Sequence, residues 1–363
     1  LIVHASVDSG VQPAISPRAA PQGRWPGLIC RLPKPLLVVP MVAYWLWLAL
    51  RYRSLSLPSA ADPSIAVGGL VGESKIAYFE QVEAGLGRWL APTAAIVKGA
   101  SARDDARAAL RRLGLSFPVI AKPDIGWCGF GVRRIDDEAA LDAYIDAYPA
   151  GETLLLQEYL DLPGEAGVFY VRWPEQPSGR VVSLTVRHPP HVVGDGSSSL
   201  RDLIGRDDAL SLRMALYRDL ERVPERGQVV PLSTVWSFRM GGCYRASGAA
   251  APAALEAALD AIASSMPNLH VARFDIRFAS ESALSRGDFK IIEINGAGSE
   301  AIEFFDSGVP FFTAYRGILA KQAMVFAIAA RNRDRGFAPC GWRALLAAFR
   351  RQARLIALYP ESN

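Results

Sequence analysis

The sequence predicts a mixed α+β fold in which short antiparallel strands are separated by amphipathic helices. Three observations predict it. "AGVFYVRW" and "GRVVSLTVRH" are two apolar runs that pair as a hairpin around "PEQPSG". "VARFDIRFA" and "FKIIEIN" form a second antiparallel pair joined by "SESALSRGD". Between and around them, "DEAALDAYIDAYP" and "AALEAALDAIASSM" carry the 3.6-residue apolar period of helices packed on a sheet.

The remaining elements follow in chain order. Residues 1–30 are rich in Pro, Ser, Ala and Gly without a period and are expected to form a disordered lead. "LLVVPMVAYWLWLAL", residues 36–50, is fifteen apolar residues with a proline inside, short of the ~20 that span a bilayer. It is expected to pack on the domain; lying on a membrane surface is the alternative. "SIAVGGLVG" suggests a strand entering a glycine turn, and a helix is expected from Ser74 through "KIAYFEQVEAGL". "SARDDARAALRRLGL" is a helix with Ser101 as N-cap and Gly114 just past its end. "FPVIAKP" is a buried strand, "GWCGFGVRRI" a glycine loop returning as a strand, and "TLLLQEYL" another strand. "VVGDGSSSLRDLI" is a turn, a serine cap and a short helix, and "LSLRMALYRDLERV" is expected to be helical. A long helix over "FFTAYRGILAKQAMVFAIAARN" and a basic helix over "WRALLAAFRRQARLIALY" complete the chain.

Composition narrows the function classes. Of 363 residues, half are apolar and about a fifth charged, with a net charge of only +4. No segment concentrates basic residues as a nucleic-acid footprint would. The four cysteines and four histidines form no metal-ligand spacing, so a zinc site is not expected and a reducing, cytoplasmic setting is the default. Lysine is scarce: Lys34, Lys75, Lys98, Lys122, Lys290 and Lys321 are the whole set. A lysine at a functional spacing therefore carries information.

"GGLVGESK" lacks the Gly-Lys-Ser/Thr order of a phosphate loop and is rejected as one. "KPDIGWCGFGV" puts Lys122 at a strand end beside Gly126, Gly129 and Gly131, glycines that let backbone N–H groups approach phosphate oxygens. A plain hairpin turn is the alternative. A period of two places Arg273, Asp275 and Arg277 on one strand face, and Glu293 and Asn295 on one face of the next. Carboxylate and carboxamide oxygens are the hard ligands Mg²⁺ takes together with phosphate oxygens. The same residues would equally make a cross-strand ion-pair ladder.

The succession of Lys75, Lys122, a glycine loop, a strand ending in Gln157-Glu158, Glu165, then R-x-D and E-x-N resembles the ATP-grasp superfamily over roughly residues 65–320. The likeness is to D-alanine–D-alanine ligase-like members, and "HVVGDGSSSLRDLI" to cyanophycin-synthetase-like ones. The resemblance implies two α+β lobes with antiparallel sheets gripping ATP. The lobes are expected at 116–170 and 171–330, after a reduced N-terminal region at 31–115 and before a basic helix at 331–363. It also implies an ATP-dependent carboxylate–amine ligase that forms an acyl phosphate and then an amide. A phosphotransferase, or a nucleotide-binding protein without turnover, is the alternative.

By the same resemblance, Lys75 and Lys122 contact the phosphates under the Gly126–Gly131 loop. Gln157, Glu158, Tyr159 and Leu160 line the adenine, Glu165 holds the ribose, and Arg187 is a further phosphate contact. Asp275, Glu293 and Asn295 hold one or two Mg²⁺ ions, with Mn²⁺ as substitute, and Arg273 stabilises charge on the transferring group. The substrates implied are small-molecule or peptide carboxylates and amines. Two departures stand out. Only about 75 residues precede Lys75, which argues against D-alanine as substrate, and "GAGSEAIEFFD" replaces the Pro-Gly and small hydroxyl residues that follow the asparagine in the family. Glu300 and Glu303 in that stretch either recognise an amine or cap the next helix. The basic C-terminal helix and the apolar N-terminal segment are expected to pack on the core; docking on an anionic membrane or a carrier protein is the other reading.

Overall fold

The computed structural model describes residues 32–363, so the lead expected at 1–30 lies outside the described residues. Helix α1 (Lys34–Arg51) is followed by 3₁₀ turns at Leu57–Ala60 and Ala66–Gly69 and a short helix α2 (Lys75–Phe79). Next come β1 (Thr93–Val97), α3 (Ala102–Leu113), β2 (Val119–Pro123), β3 (Arg133–Ile135), α4 (Glu138–Ala147) and β4 (Thr153–Glu158). Strands β5 (Gly164–Val171) and β6 (Arg180–His188) lead to β7 (His191–Val193), α5 (Leu200–Gly205), α6 (Asp208–Ser211) and β8 (Val229–Pro231). The chain closes with β9 (Cys243–Ala246), α7 (Ala253–Ser265), β10 (Val271–Phe278), α8 (Glu281–Ser285), β11 (Lys290–Asn295), α9 (Phe311–Asp334) and α10 (Trp342–Ile356).

The α+β class with antiparallel sheets is borne out. A four-stranded sheet has the order β1-β4-β2-β3, a five-stranded sheet the order β11-β10-β5-β6-β9, and β7 pairs β8 apart from both. This topology cuts across the span 116–170 expected for the smaller lobe. β1 lies ahead of that span yet joins the small sheet, because Thr93–Val97 pairs with β4. β5 lies inside the span yet is the central strand of the large sheet, buried at every position.

Strand period decides what faces the gap between the sheets. In β2, Val119 and Ala121 pack with Leu154 and Leu156 of β4 under α3 and α4, so Ile120 and Lys122 take the opposite face. In β10, Ala272, Phe274, Ile276 and Phe278 are buried against α7, which turns Arg273, Asp275 and Arg277 the other way. Burying each large apolar side chain contributes roughly 1.5–3 kcal/mol, enough to hold the polar set on its face. On that face farther along the sheet, Phe169, Val171 and Val271 pack with Leu48 of α1 and Phe326 of α9.

Three local expectations are corrected. "SIAVGGLVG" forms no strand: Val67, Gly68 and Gly69 all have positive φ (54°, 65° and 66°), a left-handed path that fits no strand. The helix from Ser74 stops at Phe79, and Ala84–Trp89 is a 3₁₀ turn that lets Trp89 donate to the Gly287 carbonyl at 3.0 Å. "LSLRMALYRDLERV" is not one helix. Leu210 and Tyr217 are drawn into the small cluster around β7 and β8, and Asp219 has φ 53°.

Helix α1 buries Leu48 and Ala49 but leaves Leu36, Val39 and Leu50 exposed. Among the described residues no helix is long and apolar enough to cross a membrane.

Candidate functional site

The two sheets are joined through the Ile292 carbonyl of β11. Lys122, at the end of β2, donates to Gln157 Oε1 of its own sheet at 2.9 Å and to the Ile292 carbonyl of β11 at 2.7 Å. Gln157 completes the join, donating to Thr93 Oγ1 at 2.8 Å and to the Ile292 carbonyl at 3.1 Å. Burial pushes the Lys122 ammonium down to about 8, against the pull of Glu293 in the other direction.

Lys75, on the first turn of α2, lies at the same place from the other side. Its Nζ is 3.6 Å from Glu293 Oε1 and donates to the Asp124 carbonyl at 3.1 Å. Ser74 caps this helix by accepting from the Ala77 amide, and the Asp124 side chain accepts from the Ile76 amide at 3.0 Å. A Cβ on Gly126 would come 3.0 Å from Lys75 Nζ, so the glycine is what lets the loop pass this close. Sequence reasoning missed Asp124; "KPD" directly after the strand was its signal.

Across the large sheet, Asp275 stands opposite Glu293 and Arg273 opposite Asn295. Asp275 is 2% exposed and is held by Arg187 (2.8 Å) and by Arg273 (2.8 Å). Burial alone would raise its carboxyl, but the two guanidiniums hold it below the usual carboxylate range. Assigned from its hydrogen-bond partners, the Asn295 amide donates to Glu293 Oε1 (3.2 Å) and accepts from Arg273 Nη2 (3.1 Å). Arg273 reaches on to the Glu300 carbonyl at 3.4 Å.

Thus Lys75, Lys122, Arg273, Asp275, Glu293 and Asn295 are brought together, and Asp275 and Glu293, expected as oxygen ligands, are also engaged in ion pairs. The oxygen donors fit Mg²⁺: two carboxylates and a carboxamide from adjacent strands lie on one face beside two lysines suited to phosphate. Glu293 is the more accessible carboxylate, with its side chain 27% exposed.

Glu165 lies one row along. Both its oxygens are taken, by Arg187 (3.0 Å) and by Arg277 (2.8 Å), so Arg277 pairs with Glu165 and not within the ladder expected with Asp275 and Glu293. Glu158, Tyr159 and Leu160 are half-buried in the connection between the sheets, where Arg134 stacks over the Tyr159 ring at 4.6 Å. The loop carrying Gly126, Gly129 and Gly131 is tied down from outside. Arg239 donates to the Cys128 and Gly129 carbonyls at 3.1 Å each, and Tyr359 to the Ile125 carbonyl at 2.6 Å. Neither anchor has a local sequence signal. Glu303 accepts from Ser183 at 2.8 Å, while Glu300 pairs with Lys321 at 3.2 Å.

No protein-family model matches the sequence, and no curated protein sequence does. Solved structures do match in part. The D-alanine–D-alanine ligase from Bacillus anthracis aligns at 13% identity and TM-score 0.39, over 70% of this chain and 68% of its own. The D-Ala:D-Ser ligase VanG from Enterococcus faecalis aligns at 14% and 0.39, over 70% and 62%. A bifunctional glutathione synthetase from Pasteurella multocida aligns at 14% and 0.35, and there the aligned part spans 36% of the longer protein.

Proposed function

We propose that this protein is an ATP-dependent carboxylate–amine ligase of the ATP-grasp type. The observation that carries the reading is the pair of hydrogen bonds from Lys122 that joins the small sheet to β11 next to Glu293. Two lysines, an arginine, two carboxylates and a carboxamide lie near this join between two antiparallel sheets, which supports the reading.

In this reading Lys75 and Lys122 hold the ATP phosphates, with the Gly126–Gly131 loop as cover. Such point charges in a buried site stabilise a transferring phosphoryl group without a protein nucleophile. Asp275, Glu293 and Asn295 hold Mg²⁺, which when bound supplies charge neutralisation on the phosphate oxygens. Arg187 keeps Asp275 ionised, and Arg273 adds positive charge where the reacting carboxylate gathers. The adenine lies along Glu158–Leu160. Gln157 serves there by fixing Lys122, and Glu165 serves the ribose by exchanging one guanidinium partner for a hydroxyl.

The chemistry balances in two steps. A substrate carboxylate oxygen attacks the γ-phosphorus, the bond to the β-phosphate oxygen breaks, and ADP leaves. An amine nitrogen then attacks the acyl carbon, the acyl–oxygen bond breaks, and phosphate leaves carrying the amine proton. Hydroxylamine tests this directly, since it traps the acyl phosphate as a hydroxamate. With a panel of carboxylates and Mg-ATP, at least one acid should give hydroxamate and ADP in equal amounts. Mg-ATP bound but never consumed with any acid would sink the ligase reading.

A further inference from the structure

Behind the loop that follows Asn295 lies a cavity of about 500 Å³. Its walls include Trp45 of α1, Leu70 beside the glycine turn, Ala297, and Trp342, Leu346 and Phe349 of α10. Trp342 and Phe349 remain 54% and 59% exposed, so the apolar wall is open for cover. One end is polar, formed by Glu300, Lys321 and Gln322. Among the described residues, Lys321 is paired with Glu300 Oε1 at 3.2 Å. Among the described residues, Glu300 Oε2 and Gln322 Oε1 are buried without a hydrogen-bond partner, and Gln322 is only 9% exposed. Buried acceptors left without a donor are costly and point to a missing donor.

Glu300 also joins this cavity to the reacting centre, because its backbone carbonyl accepts from Arg273 while its side chain lines the cavity. We infer that the cavity binds the amine substrate, a primary amine with an apolar body, its ammonium on Glu300 and Gln322 and its chain among Trp45, Leu346 and Phe349. The volume is in the range of small-molecule sites that are mostly apolar with a few polar groups fixing orientation. The inference rests on the ligase reading for its role, but binding can be measured without it.

Calorimetric titration of the whole protein with n-alkylamines tests the assignment, using octanoate and octanol as equal-length controls. Octylamine should bind saturably and more tightly than either control. From butylamine to octylamine, affinity should rise by up to about fourfold per methylene. Glu300→Gln should weaken octylamine by about tenfold or more while leaving octanol unchanged. Leu346→Arg, at a solvent-facing helix position, should weaken the whole series and keep the fold. Octanoate binding as well as octylamine, or Glu300→Gln without effect, overturns the assignment. Mg-ATP is titrated in parallel. Mg-ATP bound without octylamine overturns the cavity assignment alone; octylamine bound without Mg-ATP overturns the ligase reading and leaves the amine site standing.

Discussion

Lys122 donates to the carbonyl of Ile292 at 2.7 Å, so a side chain of one sheet closes on the backbone of the other, one residue before Glu293. A buried ammonium that titrates at about 8 in this place has a consequence for nucleotide binding. The charged form binds phosphate, so affinity of the free protein for Mg-ATP should fall as pH rises through about 8, by at most about tenfold per unit. Lys122→Met should bind Mg-ATP at least about tenfold more weakly and with a flat profile in that range. Calorimetry across pH checks both.

The two carboxylates facing each other on β10 and β11 should separate function from stability. Glu293→Gln should abolish hydroxamate formation and leave the melting temperature nearly unchanged, since that side chain is partly exposed and its cation, Lys75, is 3.6 Å away. Asp275→Asn should destabilise by about 3–5 kcal/mol, because it removes the carboxylate paired with buried Arg273 and leaves buried Arg187 with Glu165 alone. Denaturant unfolding of both variants distinguishes them.

Asp62 is fully buried and accepts from the His270 and Val271 amides at 2.7 and 3.0 Å, anchoring the start of β10. Burial pushes its carboxyl up to about 7 from the ordinary value of 3.8. A raised carboxylate binds its proton more tightly folded than unfolded. Its contribution to stability is therefore full below the unfolded value and is lost as pH rises to about 7, a swing of about 4 kcal/mol. Asp62→Asn should remove that slope, so the variant gains on the wild type in melting temperature between about pH 4 and about pH 7.

Gly296 directly follows Asn295 and is pressed against the glycine turn before α2. A Cβ there would lie 2.2 Å from Tyr78 Oη and 2.6 Å from Gly69 Cα. Gly296→Ala should cost about 1–3 kcal/mol in unfolding experiments and should lower hydroxamate formation by displacing Asn295.

Much of the site was legible because strand period is a local property. Apolar Ala272, Phe274 and Ile276 leave Arg273, Asp275 and Arg277 no face but the other one, and the same alternation sets Lys122 against Ala121. The hairpins, α7, α9 and the capped α5 were legible for the same reason, each resting on its own residues. Local pattern failed where a long-range contact outweighed it. "SIAVGGLVG" has strand composition, yet Gly68 lies so close to Ser59 that a Cβ would stand 2.2 Å from the Ser59 carbonyl oxygen.

By itself, then, the sequence determined which residues share a face, because that follows from backbone geometry and the burial of their neighbours. Only the tertiary structure decided what those residues meet. It brought β1 into the small sheet, gave Asp275 to Arg187 and Arg273, closed both oxygens of Glu165, and walled the Glu300 cavity with α1 and α10. Apart from Arg273, two residues from Asp275 on the same strand, those partners lie tens to hundreds of residues apart, and a charge chooses among distant partners by distance and burial, which no local pattern encodes.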